Sequence, residues 1–183
     1  MKETFQEVIA FIKNPVLEKD PNTTSSYRLK KFFHLLIISI ISGVAFTPIF
    51  GLIEELGLVN MDDHAVEELM KNFSKPMILL LGAVLAPILE ELIFRAPITL
   101  FTRRKSFKIA FYVFTVLFGL VHISNFTMTT NVLLLTPILV APQLLVGAYF
   151  GFIRTKFNLG WSMLLHGTYN GILMCFAFAA DIF

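Results

Sequence analysis

The feature that most constrains this chain is an apolar run from about Pro76 to Phe101 that contains three ionisable side chains, Glu90, Glu91 and Arg95. Such a run is long enough to cross a bilayer, which takes roughly 20 apolar residues. A charge at the centre of a membrane helix costs roughly 2.5–3.5 kcal/mol on insertion scales. The three side chains therefore require partners, water or a change of protonation.

Helical spacing accounts for two of these charges but not for the third. Glu91 and Arg95 are four residues apart and share one face of a helix, so they can form an ion pair. The side chain of Glu90 points about 100° around the helix from that of Glu91. Glu90 is therefore an acid without an evident partner inside a predicted membrane span.

The remaining apolar residues also cluster in runs of membrane-spanning length. The chain is 56% hydrophobic and 15% charged, with a mean hydropathy of +0.73, whereas soluble domains are about 45–50% apolar and about 25% charged. We predict an all-α, polytopic membrane helix bundle of about five spans. The predicted spans cover about 32–53, 76–101, 107–123, 132–153 and 160 to the C-terminus.

The first 31 residues are largely polar and precede the predicted transmembrane domain, which covers residues 32–183. Four apolar side chains recur there at helical spacing, namely Phe5, Val8, Ile9 and Ile12. This spacing predicts an amphipathic helix over Lys2–Lys13 that lies along the membrane surface and ends at Asn14-Pro15. A polar connection over residues 18–26 would then lead into the first span.

Basic residues flank alternate ends of the predicted spans. They precede the first span and follow the second and fourth, as Arg28, Lys30 and Lys31, then Arg103, Arg104 and Lys105, then Arg154 and Lys156. Because cytoplasmic loops carry an excess of Lys and Arg, we predict a cytoplasmic N-terminus and a C-terminus on the other side. The net charge of +2 is too small to argue for a nucleic-acid partner. Cys175 is the only cysteine, which excludes an internal disulfide and a cysteine-based metal site.

Four further polar residues fall at membrane depth in the later spans: His122, Gln143, His166 and Asn170. A lone residue of this kind often only hydrogen-bonds a neighbouring helix, a contact worth about 0.6 kcal/mol on average. Together with Glu90, the two histidines and the asparagine lie on three different spans. At about 1.5 Å per residue their depths are similar enough for one shared cavity. Such a combination indicates a water-filled cavity or a substrate path.

Backbone features favour the same cavity. Pro87 cannot donate a hydrogen bond to the carbonyl of Ala83, so we expect a kink just before Glu90. Pro137 and Pro142 are expected to act likewise in the fourth span. The pairs Gly147–Gly151 and Gly167–Gly171 have the GxxxG spacing that lets membrane helices approach closely.

Taken in order, these motifs resemble the CPBP family of intramembrane proteases, which includes the type II CAAX prenyl endopeptidases and the bacterial Abi proteins. The family pattern is EExxxR, then FxxxH, then HxxxN. It is matched here by Glu90, Glu91 and Arg95, then Phe118 and His122, then His166 and Asn170. The resemblance covers about residues 76–175. A second double glutamate, Glu54 and Glu55, has Val59 where the pattern requires arginine, so we predict an interfacial acidic pair there.

The resemblance implies hydrolysis of a peptide or membrane-protein substrate, within or at the edge of the lipid bilayer. It implies that Glu90 and His122 hold and activate a water molecule and that His166 and Asn170 stabilise the oxyanion. Glu91 and Arg95 would orient the site, and Glu91 could share the role of base. Phe118 would give structural support. The implied location is a bacterial inner membrane.

Two hypotheses about the cofactor remain, a mechanism without a metal and one with zinc. The chain lacks the HExxH helix of the usual zinc proteases, so a mechanism without a metal is favoured. The alternative is a zinc ion bound by Glu90, His122 and His166, with one coordination position left for water.

Two other classes of function compete with proteolysis. One is a non-proteolytic bacteriocin-immunity or scaffold protein, although a scaffold could lose the motif residues that this chain keeps. The other is a proton-coupled transporter that uses the buried acid and histidines as a relay. The absence of inverted repeats in the sequence argues against the transporter.

Overall fold

The computed structural model describes residues 1–60 and 72–180. Most of the loop between the first two predicted spans and the last three residues lie outside this part of the chain. The α-helices are α1 (Lys2–Lys13), α2 (Ser25–Val44), α3 (Thr47–Glu55), α4 (Lys75–Leu79), α5 (Ala86–Phe94), α6 (Arg104–Val121), α7 (Thr130–Leu139), α8 (Ala141–Lys156) and α9 (Leu159–Ala180). A π-helical segment, Leu80–Leu85, joins α4 to α5, and 3₁₀ turns follow α5 at Pro97–Leu100 and α6 at His122–Asn125.

The all-α membrane bundle predicted from the sequence is confirmed. Four stretches are long and apolar enough to cross a membrane, namely Ser25–Glu55, Lys75–Leu100, Arg104–Asn125 and Thr130–Lys156. They correspond to the first four predicted spans. The fifth predicted span is α9, whose 22 residues extend about 33 Å. It has the length to cross as well, but polar residues interrupt its centre, and it is not among the four.

Two predicted spans have different limits or continuity in the structure. The first begins at Ser25 rather than near Phe32, so it includes part of the polar connection, and it is interrupted between α2 and α3. The fourth is interrupted at Val140, between α7 and α8. Each interruption lies just before a proline, Pro48 or Pro142, which lacks a backbone N–H and disfavours helical geometry in the preceding residue.

The predicted N-terminal helix is confirmed, and one of its faces packs on the bundle. Val8 and Phe11 are buried, while Phe5, which was predicted to belong to the apolar face, is exposed. The ring of Phe11 lies edge-on to those of Phe111 and Phe152, at centroid distances of 5.1 and 5.3 Å. Helix α1 is therefore held by α6 and α8 as well as by any membrane surface it touches.

One end of the bundle is held together by hydrogen bonds between its helices and connections, and it is rich in basic residues. The backbone N–H of Asp20 donates to the carbonyl of Lys156 at 2.9 Å, and the hydroxyl of Tyr112 donates to the carbonyl of Ile12 at 2.8 Å. We call this the basic end, because it carries Arg28, Lys30, Lys31, Arg103, Arg104, Lys105, Lys108, Arg154 and Lys156.

The opposite end, here called the far end, joins the start of α4 to the end of α9. Lys75 Nζ donates to the carbonyl of Phe178 at 3.4 Å. A small apolar cluster at this end holds α3 against α7 and consists of Ile53, Val59, Phe126, Val132 and Leu139. The position of each site residue along its helix can therefore be described relative to the basic end and the far end.

The first GxxxG pair brings α6 and α8 into close contact, as the sequence predicts. A Cβ atom on Gly147 would lie 2.7 Å from Phe118 Cδ1, and one on Gly151 would lie 2.7 Å from Phe111 Cε2. Both distances are too short for non-bonded carbon atoms. Only glycine therefore permits these two aromatic rings to lie against the backbone of α8.

Candidate active site

A cavity of about 610 Å³ lies among the spans, and its polar side chains come from four of them. Its polar lining includes Glu90, His122, Gln143, His166 and Asn170. The structure therefore brings together the acid, the two histidines and the asparagine that the sequence singles out on separate spans. Most of the remaining lining is apolar.

The side chain of Glu90 lines the cavity, and one of its carboxylate oxygens makes no hydrogen bond in the described structure. Its side chain is 28% exposed, and Oε2 lies 3.5 Å from His166 Nε2. Oε2 is nevertheless buried and makes no hydrogen bond within the described part of the chain. A buried acceptor left unpaired costs roughly 1–3 kcal/mol. Glu90 therefore lines the cavity with a partly exposed side chain, while its buried Oε2 faces His166.

Glu91 lies behind the cavity wall, and both of its carboxylate oxygens contact other protein side chains. Its side chain is completely buried, and Oε1 lies 3.8 Å from Arg95 Nε and 3.1 Å from His166 Nδ1. Its other oxygen, Oε2, accepts a hydrogen bond from the hydroxyl of Ser162. The ion pair predicted with Arg95 is present, and the carboxylate also fixes an imidazole.

Arg95 is buried among aromatic and backbone partners rather than in the cavity. Its guanidinium lies 3.8 Å from the centroid of the Phe118 ring, and Nη2 donates to the carbonyl of Gly147 at 3.0 Å. A Cβ atom on Gly147 would lie 2.8 Å from that same nitrogen. Because removal of one partner leaves a buried charge uncompensated, Arg95 and Glu91 stabilise the fold only as a pair.

His122 has one ring nitrogen fixed by its own helix. Nδ1 lies 2.7 Å from the carbonyl oxygen of Phe118, and a carbonyl can only accept, so Nδ1 carries the proton. In the neutral imidazole Nε2 is then an acceptor. The ring also lies edge-on to the Phe118 ring, with centroids 4.7 Å apart.

His166 lies between the two glutamates. Its Nδ1 faces Glu91 and its Nε2 faces Glu90, at 3.1 and 3.5 Å. The buried ring stacks on Phe150 with a centroid distance of 4.4 Å and an interplanar angle of 23°. Both nitrogens are therefore directed by carboxylates, and the ring plane is fixed by an aromatic neighbour.

Asn170 bonds to the irregular turn that precedes Glu90. Its Nδ2 donates to the carbonyl of Gly82 at 2.9 Å. In a π-helix each backbone N–H bonds to the carbonyl five residues earlier, as the N–H of Ala86 does to the carbonyl of Leu81. The next residue, Pro87, would bond to the carbonyl of Gly82, but proline has no N–H to donate. The kink prediction assigned the lost hydrogen bond to Ala83. The π-helical shift moves it to Gly82, and Asn170 replaces the missing donor.

The second GxxxG pair allows this contact between α9 and the π-helical segment. A Cβ atom on Gly167 would lie 2.5 Å from the carbonyl oxygen of Ala83. One on Gly171 would lie 3.5 Å from Ala83 Cβ, an ordinary van der Waals distance. Close approach therefore depends on Gly167 and much less on Gly171.

The alternative zinc set is not assembled in this arrangement. Across residues 1–60 and 72–180, no group of three or more His, Cys, Asp or Glu side chains is placed to hold a metal ion. His166 in particular turns both ring nitrogens toward carboxylates. Zinc binding by Glu90, His122 and His166 therefore stays a prediction.

Two side chains extend the site beyond the motif residues. Ser162, whose Oγ also lies 2.9 Å from the carbonyl of Phe150, is completely buried beside Glu91. Its position four residues before His166 places it on the same face of α9, so helical spacing could have found it. Gln143 lines the cavity, and its Oε1 is buried without a hydrogen-bonding partner in the described structure.

One family model matches the chain. It describes the type II CAAX prenyl endopeptidase Rce1-like proteins and covers residues 72–172, more than half of the sequence. That range contains the two glutamates, both histidines and the asparagine of the site. No curated protein and no solved structure gives a significant match.

Proposed function

Because the chain belongs to the Rce1-like family of type II CAAX prenyl endopeptidases and is an integral membrane protein, we propose that it hydrolyses peptide bonds within the membrane, with Glu90 as the general base. The observation that carries the proposal is that Glu90 lines a cavity with His122, His166 and Asn170 and that its Oε2 makes no hydrogen bond within the described residues. A small domain rarely keeps an uncompensated carboxylate beside two imidazoles unless it uses them.

Glu90 and His122 activate the attacking water. The Glu90 carboxylate and the Nε2 of neutral His122 are both acceptors, so one water can donate a hydrogen to each. Its oxygen lone pair is then directed at the scissile carbonyl, and Glu90 takes up a proton as the water attacks. General-base catalysis of this kind contributes roughly 10²–10⁴ in rate.

His166 and Asn170 stabilise the oxyanion that forms on the carbonyl carbon. A protonated His166 donates from Nε2, while Glu91 holds its other nitrogen in place. Asn170 has a second N–H besides the one that bonds Gly82. Each oxyanion donor is worth roughly 10²–10³ in rate. His166 or protonated Glu90 then returns a proton to the leaving amine.

The hydrolysis proceeds without a resident metal ion. The support for this is the absence from the sequence of the HExxH helix that the usual zinc proteases carry. No step of the mechanism above is assigned to a metal.

The test is cleavage of a panel of membrane-spanning and prenylated peptides by the purified protein in detergent. We expect cleavage by the wild type and loss of at least 100-fold in Glu90→Ala. Glu54→Ala is the matched control, because Glu54 belongs to the other double glutamate, lies exposed on α3 and should be dispensable.

Equal cleavage by Glu90→Ala and the wild type would refute the proposal. A parallel assay with a strong chelator addresses the metal. Unchanged cleavage supports the metal-free mechanism, and abolished cleavage restored by added zinc contradicts it.

A further inference from the structure

Gln143 is a polar residue of the cavity lining that the proposed mechanism leaves without a role. It lies in the first turn of α8 and is half-buried. Its Oε1 is buried without a hydrogen-bonding partner, and its Nε2 makes no hydrogen bond within the described residues either. A polar side chain in a membrane helix often bonds a neighbouring helix. Because Gln143 makes no such bond, its carboxamide does not hold the described bundle together.

The face of α8 that carries Gln143 also carries the ring that packs on His166. Gln143, Val146 and Phe150 all line the cavity, and their spacing of three and then four residues places them on one helix face. The Phe150 ring stacks on His166 with a centroid distance of 4.4 Å. At about 1.5 Å per residue, Gln143 lies about 10 Å from Phe150 along the helix axis, toward the far end. Both side chains tilt toward the start of α8, so they keep about this separation.

The separation between His166 and Gln143 corresponds to a short length of peptide. An extended chain advances about 3.3 Å per residue, so a peptide with its scissile carbonyl at His166 has another peptide bond at the level of Gln143 about three residues away. With Oε1 buried, Nε2 is the polar atom of Gln143 that the cavity leaves accessible. A main-chain carbonyl oxygen can accept a hydrogen bond from it. The apolar neighbours Pro142 and Val146 also line the cavity, and a low local dielectric strengthens such a bond.

We infer that the Nε2 of Gln143 donates a hydrogen bond to the main chain of the substrate, about three residues from the scissile bond. The inference rests on the proposed protease function and adds a substrate-binding residue to it. Because the contact is made to the main chain, it selects an extended peptide segment and not a particular side chain at that position. Gln143 takes no part in the chemical step, so its replacement should change KM and leave kcat unchanged.

The test compares Gln143→Met with Ser39→Ala. Methionine nearly conserves the volume of glutamine and lacks its polar atoms. Ser39 is the matched control, because its Oγ is also buried without a partner in the described structure and it lies outside the cavity lining. For a peptide of the panel above that the wild type cleaves, we expect the KM of Gln143→Met to rise about three- to tenfold with kcat unchanged. Ser39→Ala should keep both wild-type values.

Backbone-modified substrates identify the contact itself. In each such peptide an (E)-alkene replaces one peptide bond within about four residues of the scissile bond, on either side, and removes the C=O and N–H there. We expect one replacement, about three residues away, to raise the KM of the wild type about as much as Gln143→Met does. The same replacement should cause no further increase in Gln143→Met. Additive increases at every position would overturn the inference, since the two changes would then act independently.

The melting temperature in detergent separates substrate binding from folding. Gln143→Met should melt at or above the wild type, because it removes a buried oxygen that has no partner. A lower melting temperature with a wild-type KM would show that Gln143 only stabilises the fold, which overturns the inference. Cleavage by the wild type with an unchanged KM in Gln143→Met overturns the inference alone and leaves the protease in place. Absence of cleavage by the wild type overturns the protease, and this inference with it.

Discussion

The imidazole Nδ1 of His122 donates a hydrogen bond to the carbonyl oxygen of Phe118, one helical turn earlier, at 2.7 Å. The contact fixes the tautomer, because the proton must lie on Nδ1 for the carbonyl to accept it. It leaves Nε2 as the acceptor in the neutral ring. The helix backbone thus determines which nitrogen can hold the water that Glu90 activates in the proposed mechanism.

Replacing His122 by Asn should separate these two roles. The Asn amide can still donate to the carbonyl of Phe118, but it has no atom in the position of Nε2. We expect kcat for the cleaved peptide to fall by roughly 10²–10⁴ while the melting temperature in detergent stays near that of the wild type. An active His122→Asn protein would show that the water is held elsewhere.

The two adjacent glutamates should respond differently to the same isosteric change. Glu90→Gln should fold with wild-type stability and lose activity, because Oε2 makes no hydrogen bond within the described residues. Glu91→Gln should lower folded yield and cost roughly 3–5 kcal/mol, because it leaves the buried charge of Arg95 uncompensated. Thermal unfolding in detergent measures both, and similar melting temperatures for the two variants would contradict the assignment.

Arg95→Ala should resemble Glu91→Gln in its effect on folding. It leaves the fully buried carboxylate of Glu91 without its cation and removes the guanidinium that covers the Phe118 ring. We expect the yield of monodisperse protein to fall several-fold. Normal yield with abolished cleavage would instead give Arg95 a direct part in the reaction.

Ser162 is expected to act as a positioning residue through Glu91. Ser162→Ala removes a buried hydrogen bond to the carboxylate that fixes His166, at a cost of roughly 1–3 kcal/mol. We expect kcat to decrease and the pH–rate profile to move, with KM little changed. A lower melting temperature with an unmoved pH–rate profile would show that the hydroxyl only stabilises the fold.

The two glycines of the second GxxxG pair provide a matched test of helix packing. Gly167→Ala would place its Cβ 2.5 Å from the carbonyl oxygen of Ala83, so it should cost roughly 1–3 kcal/mol. Gly171→Ala would make an ordinary contact at 3.5 Å and should be tolerated. The measurement is the melting temperature of each variant, and equal losses would contradict the observed packing.

Asp20, in the connection before α2, should make stability depend on acidity. Burial acts in the opposite direction, but hydrogen bonds from Tyr27 and the Asn22 backbone, with the charge of Lys31, hold the pKa of Asp20 below its ordinary value of 3.8. A lowered folded-state pKa stabilises the protein above the unfolded-state pKa, and this contribution is lost as the pH falls through the folded-state value.

We therefore expect Asp20→Asn to melt below the wild type at pH 7, by a difference of roughly 1 kcal/mol. The difference should disappear as the pH is lowered below about 4. Melting curves of both proteins at pH 7 and pH 3 measure it. A difference as large at pH 3 as at pH 7 would show that the hydroxyl and amide contacts matter without the charge.

The sequence predicts the parts of this molecule that depend on local spacing. The Glu91–Arg95 pair and the shared face of His166 and Asn170 follow from helical periodicity, and the limits of α1 follow from periodicity together with Asn14-Pro15. Periodicity does not give the rotation of one helix against another, so the commitment of Glu91 to Ser162 and the burial of Phe11 in place of Phe5 required the structure. The register shift before Pro87 could not be predicted either, because it depends on a carbonyl that Asn170 bonds from another span.

The π-helical segment Leu80–Leu85 sets the rotation of everything that follows it in its span. Its hydrogen-bonded turn contains one residue more than that of an α-helix. Deleting that extra residue would turn the downstream helix by about 100°. Glu90 would then point where a neighbouring position points now, and Glu91 would leave the histidine it holds. Natural relatives that differ by a single inserted or deleted residue between 80 and 86 would therefore carry the same motif letters on a face that no longer meets the cavity.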